Sequence, residues 1–249
     1  MPSQRLLSLL EVSEAYADGR IHVTSRANVQ VRGFSGCEGG LPAAALAALE
    51  RSGLLPTRTH ELVRNVMVSP QTGLAGGRAD LRGTAEELDR LLCANDRLAH
   101  LPGRFLFVLD DGRGDLLDRS CDLGLVALDA DTVQLRVGDH WGPTADIRDA
   151  ARQIVDLADR FVQVRGHAPT APWHVSELDR PLIEPHSPDG RLPDHTAPLP
   201  YGAVPGGQHR AVPDTGLDRF GVHALVRHVS EVIVTPWRGV LVPEEKPRV

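Results

Sequence analysis

The sequence predicts an α+β fold. Apolar residues recur at helical spacing in separate stretches, runs of β-branched residues lie between them, and the two kinds of element alternate over short connections. A chain of 249 residues buries about three quarters of its unfolded surface, so it needs no disulfide or metal to fold.

The first element is a helix. Leu6, Leu7, Leu9, Leu10 and Val12 form a broad apolar face that stops at Asp18-Gly19. Ile21 to Val31 reads as a strand, because Ile21, Val23, Val29 and Val31 share one parity. A glycine-rich loop from Gly33 to Gly40 follows, and the alanine-rich helix Leu41 to Arg51 has Pro42 near its start and Gly53 just past its end. Glu61 to Val68 is apolar again and runs into the loop SPQTGLAGG. Thr84 and Glu87 have capping-box spacing, and Leu88, Leu91, Leu92 and Leu98 carry a helix to about His100.

Phe105 to Leu109 reads as a buried strand closed by the turn Asp110-Asp111-Gly112. Leu123 to Leu128 and Thr132 to Val137 read as strands joined through Asp129-Ala130-Asp131. Ile147, Ala150, Ile154, Leu157, Ala158 and Phe161 mark an amphipathic helix over Asp146 to Arg165. Residues 166–207 hold many prolines and histidines and read as a linker. Beyond them come a strand at His209 to Pro213, a helix at Phe220 to Val229 and a strand at Glu231 to Val242.

Composition excludes several classes. Lys and Arg number 27 against 33 Asp and Glu, a net charge of −6, so nothing global favours nucleic acid or an anionic membrane. No apolar run approaches the roughly 20 residues of a membrane span. The N-terminus has acidic residues soon after its apolar run, like an amphipathic helix and unlike a signal peptide. Cys37, Cys93 and Cys121 are widely spaced, which fits neither a disulfide framework nor a self-contained [4Fe–4S] cluster. The expected location is cytoplasmic. Lys246 is the single lysine, so anion sites here must use planar arginine forks.

VTSRANVQV (Val23 to Val31) and VTPWRGVLV (Val234 to Val242) match at the first, second, seventh and ninth positions. Each follows a helix, which points to an internal duplication with a site between the repeats. Arg26 and Arg32 lie on or beside the first repeat and Arg238 on the second, while Arg64 and Arg104 border apolar runs. Arginine in such surroundings is costly unless it faces an anion or a paired carboxylate. Among the histidines, His60 stands close to Arg64 and is the candidate metal ligand; His223 and His228 are spaced too far round a helix to share a metal. The sequence DDGRGD at Asp110 to Asp115 lacks a closing glutamate for calcium and reads as a polar turn. Cys37 is a lone thiol without an evident base. Trp237, next to Arg238, has the flat face that a planar ligand uses.

TSRANVQVRG, LVRNVMVSP, LPGRFLFVLDDGRGD and DLGLVA occur in this order and resemble the motifs of the nitrite and sulfite reductases. LDDGRGD and VTPWRGVLVP are most similar to the precorrin-3B synthase branch of cobalamin biosynthesis. The resemblance implies pseudo-symmetric ferredoxin-like half-domains flanking a central domain. Their bounds would be 1–60 and 208–249 for the half-domains, 61–165 for the centre and 166–207 for the linker. It implies an anionic site lined by Arg26, Arg64 and Arg104, with Asn28, Arg32 and Arg238 added by position. Leu106 stands where the family carries a further cation, which disfavours sulfite or nitrite and favours a bulky polycarboxylate.

The family's cysteine segment has no counterpart, so the chain reads as a shortened relative. The expectation is therefore a tetrapyrrole-associated oxidoreductase that binds haem, a sirohaem-type ligand or another anionic small molecule. Its iron would come from that ligand, a nonhaem site or a partner chain bearing an iron–sulfur cluster. The alternatives are a non-catalytic binding protein, one half of a two-chain enzyme, or the fold reused in specialised metabolism.

Overall fold

The computed structural model describes residues 1–34, 40–166 and 168–244; the lone-thiol reading of Cys37 falls outside them. The fold is mixed α and β, as expected, and the chain divides into two compact units. The first unit takes Met1–Pro56 with Leu199–Val249, and the second takes Thr57–Pro198.

In the first unit, α1 (Ser3–Tyr16) leads into β1 (His22–Val23), β2 (Val29–Gln30) and α2 (Ala43–Arg51). After the excursion into the second unit, α5 (Arg219–Val226) follows the strands β8 (Gly202–Val204) and β9 (Gly207–Ala211) and precedes β10 (Ile233–Thr235) and β11 (Gly239–Pro243). The last four strands form an antiparallel sheet in the order β10-β11-β9-β8. Leu6, Leu9 and Leu10 of α1 bury their side chains with Val222, Leu225 and Val226 of α5. That burial of apolar area is the main stabilising term, at roughly 1.5–3 kcal/mol per large side chain.

The two repeated segments, each expected to be one strand, are hairpins. Val23 pairs Val29 in the first and Val234 pairs Val240 in the second, the same register in both repeats. Each turn has a three-residue loop whose last residue is left-handed: Ala27 at φ 57° and Arg238 at φ 56°. These are the positive-φ non-glycine residues among the described ones. A type I turn plus one left-handed residue closes such hairpins, and glycine is its usual occupant. That is why period-two parity alone read through the turn.

The repeats also exchange backbone bonds. Ile21 N donates to Leu217 O at 2.9 Å and Leu217 N to Ile21 O at 2.8 Å. Val232 N donates to Met1 O at 2.9 Å, and the Met1 amine donates to Val232 O at 2.7 Å. In each case the residue two before a repeat pairs with the residue two before the other half's helix.

The second unit is a five-stranded sheet in the order β3-β4-β5-β6-β7. Its strands are β3 (Val66–Val68), β4 (Phe107–Asp110), β5 (Leu123–Ala127), β6 (Thr132–Val137) and β7 (His140–Asp146). The first three are parallel and the rest antiparallel. The helices α3 (Arg82–Ala94) and α4 (Ile147–Arg165) share its core, where Phe105 meets Phe161 at 5.0 Å between ring centres.

Three expectations fail here for identifiable reasons. The capping box is not formed, because α3 starts at Arg82 and Glu87 pairs with Arg90 at 2.6 Å. β7 is an unexpected strand: it carries Pro143, which an edge strand tolerates because its outer side needs no donor. Residues 166–198 belong to the second unit rather than to a linker. Buried Gln134 donates to Ser187 O at 2.9 Å and accepts from Asp189 N at 2.8 Å, and His186 N donates to Trp141 O on the edge of β7 at 2.8 Å. Thr196 N reaches Gly114 O at 3.0 Å. Proline-rich chain is thus fastened through its backbone, which composition does not reveal. Among the described residues, no helix is long and apolar enough to cross a membrane.

Candidate functional site

Arg26, Asn28, Arg32 and Arg238 belong to the first unit, and Arg64 and Arg104 to the second. Arg26 sits at the middle of the first hairpin turn, half-buried, with its backbone N–H on Thr24 Oγ1 at 3.2 Å. Asn28 closes that turn by accepting from Thr24 N at 2.9 Å. Arg32 is exposed and bonds only a neutral group among the described residues, the Gln30 amide oxygen, at 3.1 and 3.3 Å. Arg238 donates to Asp214 Oδ1 at 2.9 Å, but Asp214 is itself 88% exposed. Such a solvent-level pair is worth about 0–1 kcal/mol and yields readily to a better anion.

The sheet face beside Arg238 is built around His209. His209 is buried; its Nδ1 donates to the carbonyls of Leu199 and Pro200 at 3.1 Å, so its Nε2 accepts from Thr235 Oγ1 at 2.9 Å. Burial lowers its pKa, outweighing those carbonyls, and keeps the ring neutral. The ring lies over Gly239, where an added Cβ would come within 2.3 Å of Nε2. Tyr201 stacks on His209 at 4.6 Å between ring centres, and its hydroxyl donates to the Trp237 carbonyl.

In the second unit, Arg64 and Arg104 precede neighbouring parallel strands at the same edge of the sheet. Asn65 fastens the two loops: its buried amide donates to Leu62 O at 2.9 Å and to Gly103 O and Phe105 O at 3.2 Å. Arg104 is exposed. Arg64, expected to face a ligand, instead grips Asp89 of α3 with two bonds at 2.7 and 2.9 Å. Its fork is filled by a residue distant in sequence, which spacing gave no means of seeing.

His60 is not a metal ligand in this arrangement. It is buried, its Nε2 donates to Asn95 O at 3.1 Å, and its Nδ1 is held by Thr57 and Thr59 hydroxyls at 3.0 and 2.9 Å. Neither nitrogen keeps a free lone pair.

Sequence reasoning missed a buried polar hub in DDGRGD. Asp110, Asp111 and Asp115 are all buried at the carboxyl ends of the parallel strands, the edge where open sheets place ligands. Desolvation raises the Asp110 pKa despite bonds from Gly114, Leu116 and Gly112 N–H groups. Arg113 binds both Asp111 oxygens, at 2.8 and 2.6 Å, and also Gln71 at 2.7 Å. Ser69 donates to Asp115 Oδ1 at 2.7 Å, yet burial still pushes the Asp115 carboxyl up to about 7. Carboxylate oxygens of all three aspartates lie within 4.8 Å of one another, the donor set of a hard cation. Asp110 and Asp111 are already saturated by backbone N–H groups and by Arg113, so the hub holds itself together. The one available signal was an all-apolar strand running straight into two carboxylates.

The described cysteines do not fit an iron–sulfur cluster. Cys93 is on α3, whereas Cys121 is buried, donates weakly to Gly138 O at 3.8 Å, and has its thiol pushed up to about 11 by desolvation.

Residues 1–36 match the family model of the nitrite/sulfite reductase ferredoxin-like half domain. That stretch takes in α1 and the first hairpin, with Arg26, Asn28 and Arg32. A search of curated proteins finds no match.

Proposed function

We propose that the protein binds a large polycarboxylate of the tetrapyrrole class, as expected of a relative of precorrin-3B synthase, through the arginines of its repeated hairpins. The observation that carries this reading is the repeated hairpin itself. Two segments of like sequence share register and a left-handed residue, exchange backbone bonds with each other's halves, and present Arg26, Arg32 and Arg238 without a buried carboxylate. A pseudo-twofold frame with cations on both repeats suits a ligand carrying carboxylates around its rim. Arg104 is a further cation of the same kind on the second unit.

The described arginines suit the carboxylates of such a ligand, and the two described cysteines, Cys93 and Cys121, are too few to hold an iron–sulfur cluster. Oxidoreductase chemistry would therefore draw its iron from the bound tetrapyrrole or from a partner chain. In its absence the protein is a binding or accessory protein. The chain's own residues neutralise and orient the ligand's rim; arginine suits this because it stays charged at any working pH and binds carboxylates two bonds at a time.

Titration with metal-free coproporphyrin III, followed through its Soret band, is expected to saturate at one ligand per chain. Arg26→Gln, Arg32→Gln and Arg238→Gln should each weaken binding roughly tenfold, the value of one charge-assisted contact. Arg64→Gln should lower stability and leave affinity nearly unchanged. Absence of saturable binding, or sensitivity confined to Arg64, would overturn the reading.

A further inference from the structure

The sheet face beside Arg238 carries a feature that carboxylate recognition leaves unused. Tyr201 is 53% exposed, yet it is fixed at both ends: its ring rests on His209 and its hydroxyl bonds the Trp237 carbonyl, the peptide leading into Arg238. His209 in turn is locked by three bonds and brings its Nε2–Cδ2 edge against Gly239, with Trp237 edge-on at 6.2 Å. An immobilised ring has lost its rotamer freedom without burying its outer face. That combination costs stability in the free protein and favours a partner that covers the face, because no further ordering is needed on binding.

We propose that the outer face of Tyr201 is a stacking platform for a flat conjugated anion, with Arg238 as the adjoining cation. This deepens the polycarboxylate reading, on which it rests for the ligand's charge, and adds that the ligand is planar. Arg238 is held by a strained left-handed backbone at the end of the turn that Tyr201 bonds, and its Asp214 partner is at solvent level. Aromatic stacking tolerates many ring systems, so the platform selects flatness, and the arginine selects negative charge. Tyr201 acts here as a binding residue and supplies no proton, because its hydroxyl is already committed as a donor to Trp237.

The test uses the full chain and two probes, coproporphyrin III and the smaller flat dianion anthraquinone-2,6-disulfonate, with butane-1,2,3,4-tetracarboxylate as a non-planar control. Tyr201→Leu should weaken both flat probes at least tenfold, leave the control unchanged, and abolish the induced circular dichroism of the bound dye. Tyr201→Phe and Tyr201→Trp, which keep a flat face, should retain binding within a few-fold, and they stand in should the leucine variant fold poorly. Coproporphyrin binding that depends on Arg26, Arg32 and Arg238 but ignores Tyr201→Leu would sink the platform while sparing the polycarboxylate reading. Tyr201-dependent binding of the dianion without coproporphyrin binding would keep the platform and discard the tetrapyrrole. Wild-type protein binding neither flat probe would overturn both.

Discussion

Asn65→Asp should cost about 3–5 kcal/mol, the range for a buried charge left without a partner. The wild-type amide donates to three carbonyl oxygens at 2.9–3.2 Å, from the loops that carry Arg64 and Arg104. An aspartate of the same shape points oxygens at those oxygens, in a site that is 8% exposed. The carboxylate must then remain charged against three negative dipole ends or take up a proton at neutral pH. Asn65→Ala removes the donor without adding charge and should cost less, about 2 kcal/mol, for three carbonyls left unmatched. Urea unfolding at pH 7 and pH 5 separates the two effects. Acid should recover part of the Asp variant's loss, because a protonated carboxyl regains one donor, and should leave the Ala variant unmoved. A cost below about 1 kcal/mol for the aspartate, independent of pH, would show that the loops are held by something else.

Asp115→Asn should stabilise the protein above neutrality. Desolvation raises the Asp115 carboxyl from 3.8 to about 7, against the Ser69 bond that favours its ionised form. The folded state therefore binds a proton that the unfolded chain releases at about pH 4. Its cost is absent below pH 4, grows by about 1.4 kcal/mol per pH unit, and is complete above pH 7. Asparagine keeps an oxygen for Ser69 and carries no charge. The variant should match wild type at pH 4 and exceed it at pH 8 by up to about 4 kcal/mol, read as the difference between two urea curves at each pH. Asp110, raised for the same reason, shares this titration, so the wild-type transition will be broad. A variant less stable than wild type at pH 8 would mean that Arg113, 4.0 Å from Asp115, holds the carboxylate ionised.

Much of the fold was legible because helices announce themselves by period. The apolar faces of α1, α4 and α5 appear in the sequence nearly as they are built. Chain reversals without glycine were not legible. Ala27 and Arg238 adopt a backbone that neither residue favours, so the hairpins were read as unbroken strands. β7 was hidden by Pro143, tolerable because this edge strand needs no donor there, and by Gly142, where an added Cβ would come within 3.0 Å of Ile183 and 3.1 Å of Leu135. The segment at 166–198 was hidden because its hold on the second unit runs through main-chain groups and one buried glutamine.

The candidate site divides in the same way. Arginines near strands were visible as residue types, but their partners were not. Asp89 lies a helix away from Arg64, and nothing in the spacing of either residue reports the other. Arg26, Arg32 and Arg238 became the stronger candidates once the described carboxylates were seen to leave them unburdened or only weakly paired. His60 was singled out for its position beside Arg64, while its burial and its three bonds answer to hydroxyls and a carbonyl that no motif marks.

The most direct test of the account is which arginines a tetrapyrrole carboxylate touches. Arginine Nε–H resonances of labelled protein, followed by NMR during titration with coproporphyrin III, report each guanidinium separately. If the hairpin arginines hold the ligand, the signals of Arg26, Arg32 and Arg238 shift together and saturate at one equivalent, with those of Arg64 and Arg113 unmoved in their existing pairs. Shifts confined to Arg64 or Arg113, or none at all at saturating ligand, would contradict it.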